Sequence, residues 1–155
     1  MSAEHIPADL LWQITRNYSA LTVKRRPATA GGVQFSRDPL NLTNKHSRKY
    51  DGYINPQAIG ITPGSNGGVN LLTKKSGKSN KPAGELQTAS FGKGTTPRKT
   101  YRNIVNATTK RGYRPDLRHE AVARASAIRK SERAPKDTPA RKARGVKAKK
   151  AAEKA

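Results

Sequence analysis

The chain has 155 residues, no cysteine, and 32 lysines and arginines against 10 acids, for a net charge of +22. Leu, Ile, Val and Phe number 24 and alanine alone another 20; a chain with under ~20% of the four bulky types and a high net charge seldom buries enough surface to fold fully alone. These values exclude disulfides, thiolate zinc sites and a large core, and self-repulsion of this size calls for a polyanion, nucleic acid first and an anionic membrane second.

The N-terminus carries Glu4 and Asp9 and no apolar leader, and the longest bulky apolar run is Leu10-Leu11-Trp12. A soluble protein of the cytosol or nucleus is therefore expected. Pro7 and Asp9 suit the first turn of a short helix in which Leu10, Leu11 and Ile14 share a face. "NYSALTVKR" alternates Ser19, Leu21 and Val23 against Tyr18, Ala20 and Thr22, the pattern of a strand with one buried face, and "PATAGG" is a turn or loop. Asp38-Pro39 is expected to cap one helical turn at "PLNL". "KYDGYI", "AIGI" and "VNLLTKK" follow, the last two joined by the hairpin signal "TPGSNGG". They read as a small antiparallel meander whose apolar face is covered by the first helix.

"KSGKSNKPAGE" reads as a loop. Thr95 or Thr96 before Pro97 is a candidate N-cap for a helix to about Lys110, stopped by Gly112. Arg114-Pro115-Asp116 restarts the chain into a second helix that ends before Pro135. The rest is Lys/Ala-rich low complexity, expected to be disordered in isolation. The organisation is thus a small α+β domain over 1–75, a linker over 76–96, a basic helical segment over 97–134 and a disordered tail over 135–155. Residues 1–92 carry a net +7 and residues 93–155 a net +15, while bulky apolar residues beyond Arg114 are only Leu117, Val122, Ile128 and Val146. The first half can own a small core; the second must lean on something else.

Two motifs tempt and fail. "SGKS" at 76–79 resembles the end of a phosphate-binding loop, but Leu72 stands where that loop needs glycine. "HEAVA" at 119–123 starts like a zinc-protease helix, but Ala123 replaces the second histidine. His5, His46 and His119 are scattered, and no nucleophile signature appears. No metal, cofactor, small-molecule substrate or catalytic residue is expected. His46 and His119 read as polar surface or RNA-facing groups.

The helix "YRPDLRHEAVARASAIRKSER" carries the sharpest signal. At 100° per residue Leu117, Ala121, Ala125 and Ile128 fall within roughly 80°. The stripe is narrow and its middle is alanine. Arg118, Arg129 and Arg133 line one flank, Arg124 the other, and Arg114 the head. An ordinary solvated face needs mixed charge, yet only Glu120 and Glu132 balance these cations. A membrane-surface helix needs bulk that alanine lacks. Nucleic acid fits best: small residues allow close approach while arginines fork onto phosphates from both sides. Few aromatics and no helix-turn-helix or RNP-type pattern favour folded RNA, held by shape and phosphate.

"WQITRNYSALTVKR" (12–25), "FSRDPLNLTNKHSRKYDGYIN" (35–55) and "YRPDLRHEAVARASAIRKS" (113–131), in that order, closely resemble the eukaryotic large-subunit ribosomal protein twenty-eight family. The resemblance covers most of residues 10–133; "ATAGGVQ" and residues 76–100 match it least. It implies a structural component of the cytoplasmic ribosome's large subunit, assembled through the nucleus and nucleolus and bound to large-subunit ribosomal RNA and neighbouring ribosomal proteins. A nucleolar assembly factor or free RNA chaperone is the alternative. The expected RNA-binding residues are Lys24, Arg25, Arg26, Arg48 and Lys49 in the first domain. In the second half they are Arg98, Lys99, Arg102, Lys110, Arg111, Arg114, Arg118, Arg124, Arg129 and Lys130. Trp12, Leu21 and Ile61 are expected in the core.

Overall fold

The computed structural model describes residues 6–25, 32–75, 77–78, 81–139 and 144–153. The elements are α1 (Ala8–Thr15), β1 (Thr22–Arg25), β2 (Val33–Ser36), β3 (Ile59–Pro63), β4 (Gly68–Lys74), the one-turn α2 (Pro82–Glu85), β5 (Leu86–Gly92), α3 (Pro97–Ala107), α4 (Arg118–Ser131) and α5 (Val146–Ala152). Single 3-10 turns cover Arg48–Tyr50, Thr109–Arg111 and Pro115–Leu117. The α+β class, the N-terminal helix and the C-terminal helices are as expected.

The strands form two antiparallel sheets. β1 and β2 pair as a two-stranded ribbon, and β3-β4-β5 form a three-stranded meander with β4 in the centre. The β3–β4 hairpin turns at the expected glycines. Gly68 sits at φ +93°, and a Cβ there would collide with the backbone of Phe91 and Gly92 on β5, so only glycine fits. β5 occupies residues expected to lie in a loop and linker. Its sequence LQTASFG is polar, and only Ala89 and Phe91 pack toward the core. "KYDGYI", conversely, contributes the end of a 3-10 turn and a further turn, not a strand. "PLNL" is likewise a turn without a helix: Asp38 is buried and accepts from Leu40 N through Oδ1 and Gly52 N through Oδ2, which ties two loops together.

One core serves both halves of the chain. Ile59, Ile61, Val69 and Leu71 of the meander meet Leu42, Ile104 of α3, and Leu117, Ala121 and Ala125 at and along α4. The helix that covers the sheet is therefore α4, backed by α3, and not α1, none of whose residues is buried. The reason is residue size. Ala121 and Ala125 let α4 lie close on β3 and β4, whereas α1 carries bulky groups with no facing surface. The alanine stripe thus packs on protein, contrary to its reading as a close-approach surface for nucleic acid. The second half does lean on something, and it is the sheet of the first half. Ile61 is in the core as expected; Trp12 is half-buried and Leu21 exposed, because the ribbon and α1 stand outside that core.

α3 buries Thr100, Ile104 and, just past its end, Thr108, one row four residues apart. Both buried hydroxyls donate one turn back, Thr100 Oγ1 to Thr96 O at 3.2 Å and Thr108 Oγ1 to Ile104 O at 2.7 Å, so neither is left unsatisfied. Thr96 is the N-cap residue without a side-chain cap bond; the helix ends at Ala107, earlier than expected, and Gly112, at φ +76°, caps the 3-10 turn Thr109–Arg111 that follows it. Residues 134–139 have no regular structure, and the tail carries the seven-residue α5.

Candidate nucleic-acid interface

The row that α3 buries fixes the row that it exposes. Arg98, Arg102 and Asn106 follow one another at four-residue spacing on the outer face, with Lys110 in the next turn. α4 starts beside the end of α3, and the two helices border a groove of about 1010 Å³. Tyr101, Val105 and Val122 form its apolar floor; Arg102, Asn106, Thr109, Lys110, Arg118 and His119 stand along it. A second hollow, of about 500 Å³, lies between Thr96, Arg98, Lys99, Arg102, Asn103 and Asn106. Arg102 and Asn106 belong to both, so one basic surface runs from the N-terminus of α3 to the N-terminus of α4. It gathers Arg98, Lys99, Arg102, Lys110 and Arg118 of the expected set.

Acids explain why these cations remain available. Among the described residues five ion pairs occur: Arg48–Asp9 at 2.8 Å, Lys49–Glu120 at 3.5 Å, Lys74–Glu85 at 3.1 Å, Arg114–Asp116 at 2.9 Å and Arg129–Glu132 at 3.5 Å. Asp38 and Asp51 instead accept backbone N–H groups. Nearly every described carboxylate is thus engaged within the fold. Arg98, Lys99, Arg102, Lys110, Arg111, Arg118, Arg124 and Lys130 have no carboxylate partner among the described residues. All of these but the half-buried Arg124, on the opposite flank of α4 from the groove, are exposed.

Two expected RNA-binding arginines are engaged within the fold. Arg129 is buried, and its Nη2 donates to Lys93 O at 3.1 Å and Thr95 O at 2.7 Å. It clamps the β5–α3 connection onto the end of α4. Arg114 is in the left-handed region at φ +48°. Its guanidinium forks onto both oxygens of Asp116 at 2.9 Å and donates to Gln57 O and Lys49 O, also at 2.9 Å. That hydrogen bonding holds the Asp116 carboxyl below the usual carboxylate range. Burial pulls the Glu120 carboxyl upward, but hydrogen bonds from the backbone and Tyr50, with the charge of Lys49, outweigh it and leave it low. Tyr113 completes the junction: its hydroxyl accepts from Ala58 N at 3.1 Å and donates to Lys74 O at 2.9 Å.

In the first half Lys24 and Arg25 are exposed on β1, remote in sequence from the groove. Lys24 Nζ donates to Asn17 O at 2.8 Å and lies 5.9 Å from the centre of the Tyr18 ring. Arg48 and Lys49 keep about half their side-chain surface exposed, at 48% and 46%, despite their acid partners. Arg26 lies outside the described residues. His46 is not free for a ligand on both sides, since Nε2 is 2.7 Å from Arg16 O and the ring is 5.0 Å from that of Trp12; His119 stands exposed on the groove. Sequence reasoning missed Asn103, Asn106 and Thr109, neutral groups able to bond phosphate or ribose. The four-residue spacing from Arg98 through Arg102 to Asn106 was a signal for Asn106; Asn103 and Thr109 lie off that row and had none.

A model described as the ribosomal L28e protein family matches residues 10–131, from α1 through the last residue of α4. The large ribosomal subunit protein eL28 of Schizosaccharomyces pombe is 39% identical over 130 residues, covering 84% of this chain and 95% of that protein. The protein of the same name from Dictyostelium discoideum is 32% identical over 136 residues, 88% of this chain and 96% of its own. That from Caenorhabditis elegans is 31% identical over 96 residues, 62% and 70% respectively.

Proposed function

Because the chain belongs to the ribosomal L28e protein family, we propose that it is a non-catalytic constituent of the large subunit of the cytoplasmic ribosome, and that it braces folded ribosomal RNA by neutralising phosphates. The observation that carries the RNA-binding part is the charge division described above. Most of the described acids are engaged within the fold, and the cations of α3 and the start of α4 are left exposed beside one another. A polyanion supplies the missing counter-charge, and the released counterions supply much of the affinity.

Within this reading the groove between α3 and α4 receives the sugar–phosphate backbone. Arg102, Lys110 and Arg118 contact phosphates, and Asn106 and Thr109 bond phosphate or 2′-hydroxyl groups. Arg98 and Lys99 extend the track along α3, Arg111 and Lys130 add charge around it, and Arg124 offers a separate cation on the opposite flank of α4. Lys24, Arg25, Arg48 and Lys49 form a separate contact from the first half. Arg114 and Arg129 act by holding the scaffold.

Binding of the full chain to protein-free large-subunit RNA across a salt series tests this. With about ten phosphates neutralised, log affinity falls with log salt at a slope of about −7 to −9. A slope shallower than about −2 overturns the mechanism. Replacing both Arg102 and Lys110 by glutamate should flatten the slope by about two; an unchanged slope moves the site elsewhere.

A further inference from the structure

The two hollows of the basic surface have different linings. The smaller one, along α3, is walled by polar and charged side chains throughout, which suit phosphate and ribose. The groove between α3 and α4 has cations beside an apolar floor of Tyr101, Val105 and Val122. Tyr101 rests partly on the core, whereas Val105 and Val122 are half-buried and lie outside the core cluster. The two valines thus hold apolar area that neither the core nor a phosphate uses.

We propose that this floor seats one unpaired nucleobase of the ribosomal RNA, turned inward beneath a backbone that Arg102, Lys110 and Arg118 hold at the rim. A nucleotide has two parts that match the lining: an anionic phosphate for the cations and a flat face for the floor. Asp116, the acid that lines the groove, is paired with Arg114, so its charge is offset. Tyr101 and His119 bring aromatic rings to the same groove. Among the described residues the bonded tyrosine hydroxyls and histidine rings are those of Tyr50, Tyr113 and His46, which leaves the polar atoms of Tyr101 and His119 for a base edge. Size decides against a peptide. From Tyr101 to Val105 the floor covers about one turn of α3, roughly 6 Å, enough for a single base. A docked amphipathic helix needs anchors over two turns, about 10 Å. Folded RNA held elsewhere by shape and phosphate supplies such a base from a bulge or loop.

The inference rests on the RNA-binding reading and adds what lies beneath the backbone. The full chain, with a photoreactive diazirine side chain in place of Val122 or, in the polar hollow, of Asn103, is bound to protein-free large-subunit RNA and irradiated. Mass spectrometry then locates the new bond. Adducts on a nucleobase are expected at position 122 and on ribose at position 103. Ribose adducts alone at both positions, or RNA adducts only at 103, would overturn the inference. So would a protein adduct at 122 in intact large subunits. In parallel, the Val105→Ser, Val122→Ser double variant should keep the wild-type salt slope, since no charge changes, yet bind the same RNA about tenfold more weakly. Val122→Ile, which keeps the apolar surface, should bind like wild type. Wild-type affinity for the serine variant, or an equal loss for Val122→Ile, would overturn the inference. A slope shallower than about −2 for every protein, with no RNA adduct at either position, would instead overturn the RNA reading on which it rests.

Discussion

In the region built by the meander, α3 and α4, Ile104, Leu117, Ala121 and Ala125 are buried against Ile59, Ile61, Val69 and Leu71. In α1 and the β1–β2 ribbon, Leu10, Ile14, Val33 and Phe35 stay largely in water. The first region is closed by bonds that cross the whole chain: Arg114 to the backbone of residues 49 and 57, Arg129 to residues 93 and 95, Tyr113 to residues 58 and 74. Among the described residues the second hangs on one ion pair, one ring contact and a few hydrogen bonds. Stability therefore resides in the first, and the second leaves apolar side chains exposed. A two-stranded ribbon of four-residue strands is marginal by itself, which fits that division.

Substitutions should separate the regions, beginning with the core. Ile104→Ala should cost about 2–5 kcal/mol in urea unfolding followed by circular dichroism. A cost below about 1 kcal/mol would mean that the shared core does not hold the fold. Arg129→Ala removes two charge-assisted bonds to carbonyls in a buried setting and should cost about 2–3 kcal/mol, without the loss of RNA affinity expected of a phosphate contact once the protein is folded. Arg129→Lys should rescue only part of it, since an ammonium lacks the planar fork. Tyr113→Phe leaves the Ala58 N–H and Lys74 carbonyl without their partner and should cost about 1–2 kcal/mol.

The acid limb of stability is a finer probe of the same junction. The Asp116 and Glu120 carboxyls are held below their ordinary values in the folded protein, so the folded state favours the ionised forms. Their contribution is present above the unfolded carboxylate range near pH 4 and is lost as pH falls through the lower folded values. Asp116→Asn should remove part of that acid-side loss and leave the profile near neutrality parallel to wild type; an identical acid limb would show that the Arg114 fork contributes nothing. Smallest of all, Leu10→Ser and Ile14→Ser in the free protein should change stability by no more than about 0.5 kcal/mol. A loss comparable to that of Ile104→Ala would erase the distinction between the two regions.

Local chemistry made much of this legible in the sequence. The Gly-rich turn between residues 63 and 68, Pro97 at the start of α3, Gly112 at the end of the 3-10 turn after it, and Pro115 before α4 mark boundaries through backbone preferences that each residue carries wherever it stands. The charge surplus of the second half is also intrinsic to composition, as is the family likeness. β5 escaped notice because its pairing comes from β4: a polar strand of glutamine, threonine and serine shows no apolar run, and only the neighbouring strand supplies the ladder. The alanine stripe of α4 looked unfit for a core because the sheet that accepts it lies about fifty residues earlier in the chain. The separation of structural from available cations was decided by folding too. Arg114 and Arg129 have the same chemistry as Arg102 and Arg118, and the choice between a carbonyl and a phosphate depends on which backbone the tertiary fold brings within 3 Å. Sequence thus determined the supply of charge and the local breaks, while the burial of each face and the engagement of each arginine were set by long-range packing, which no local window of residues encodes.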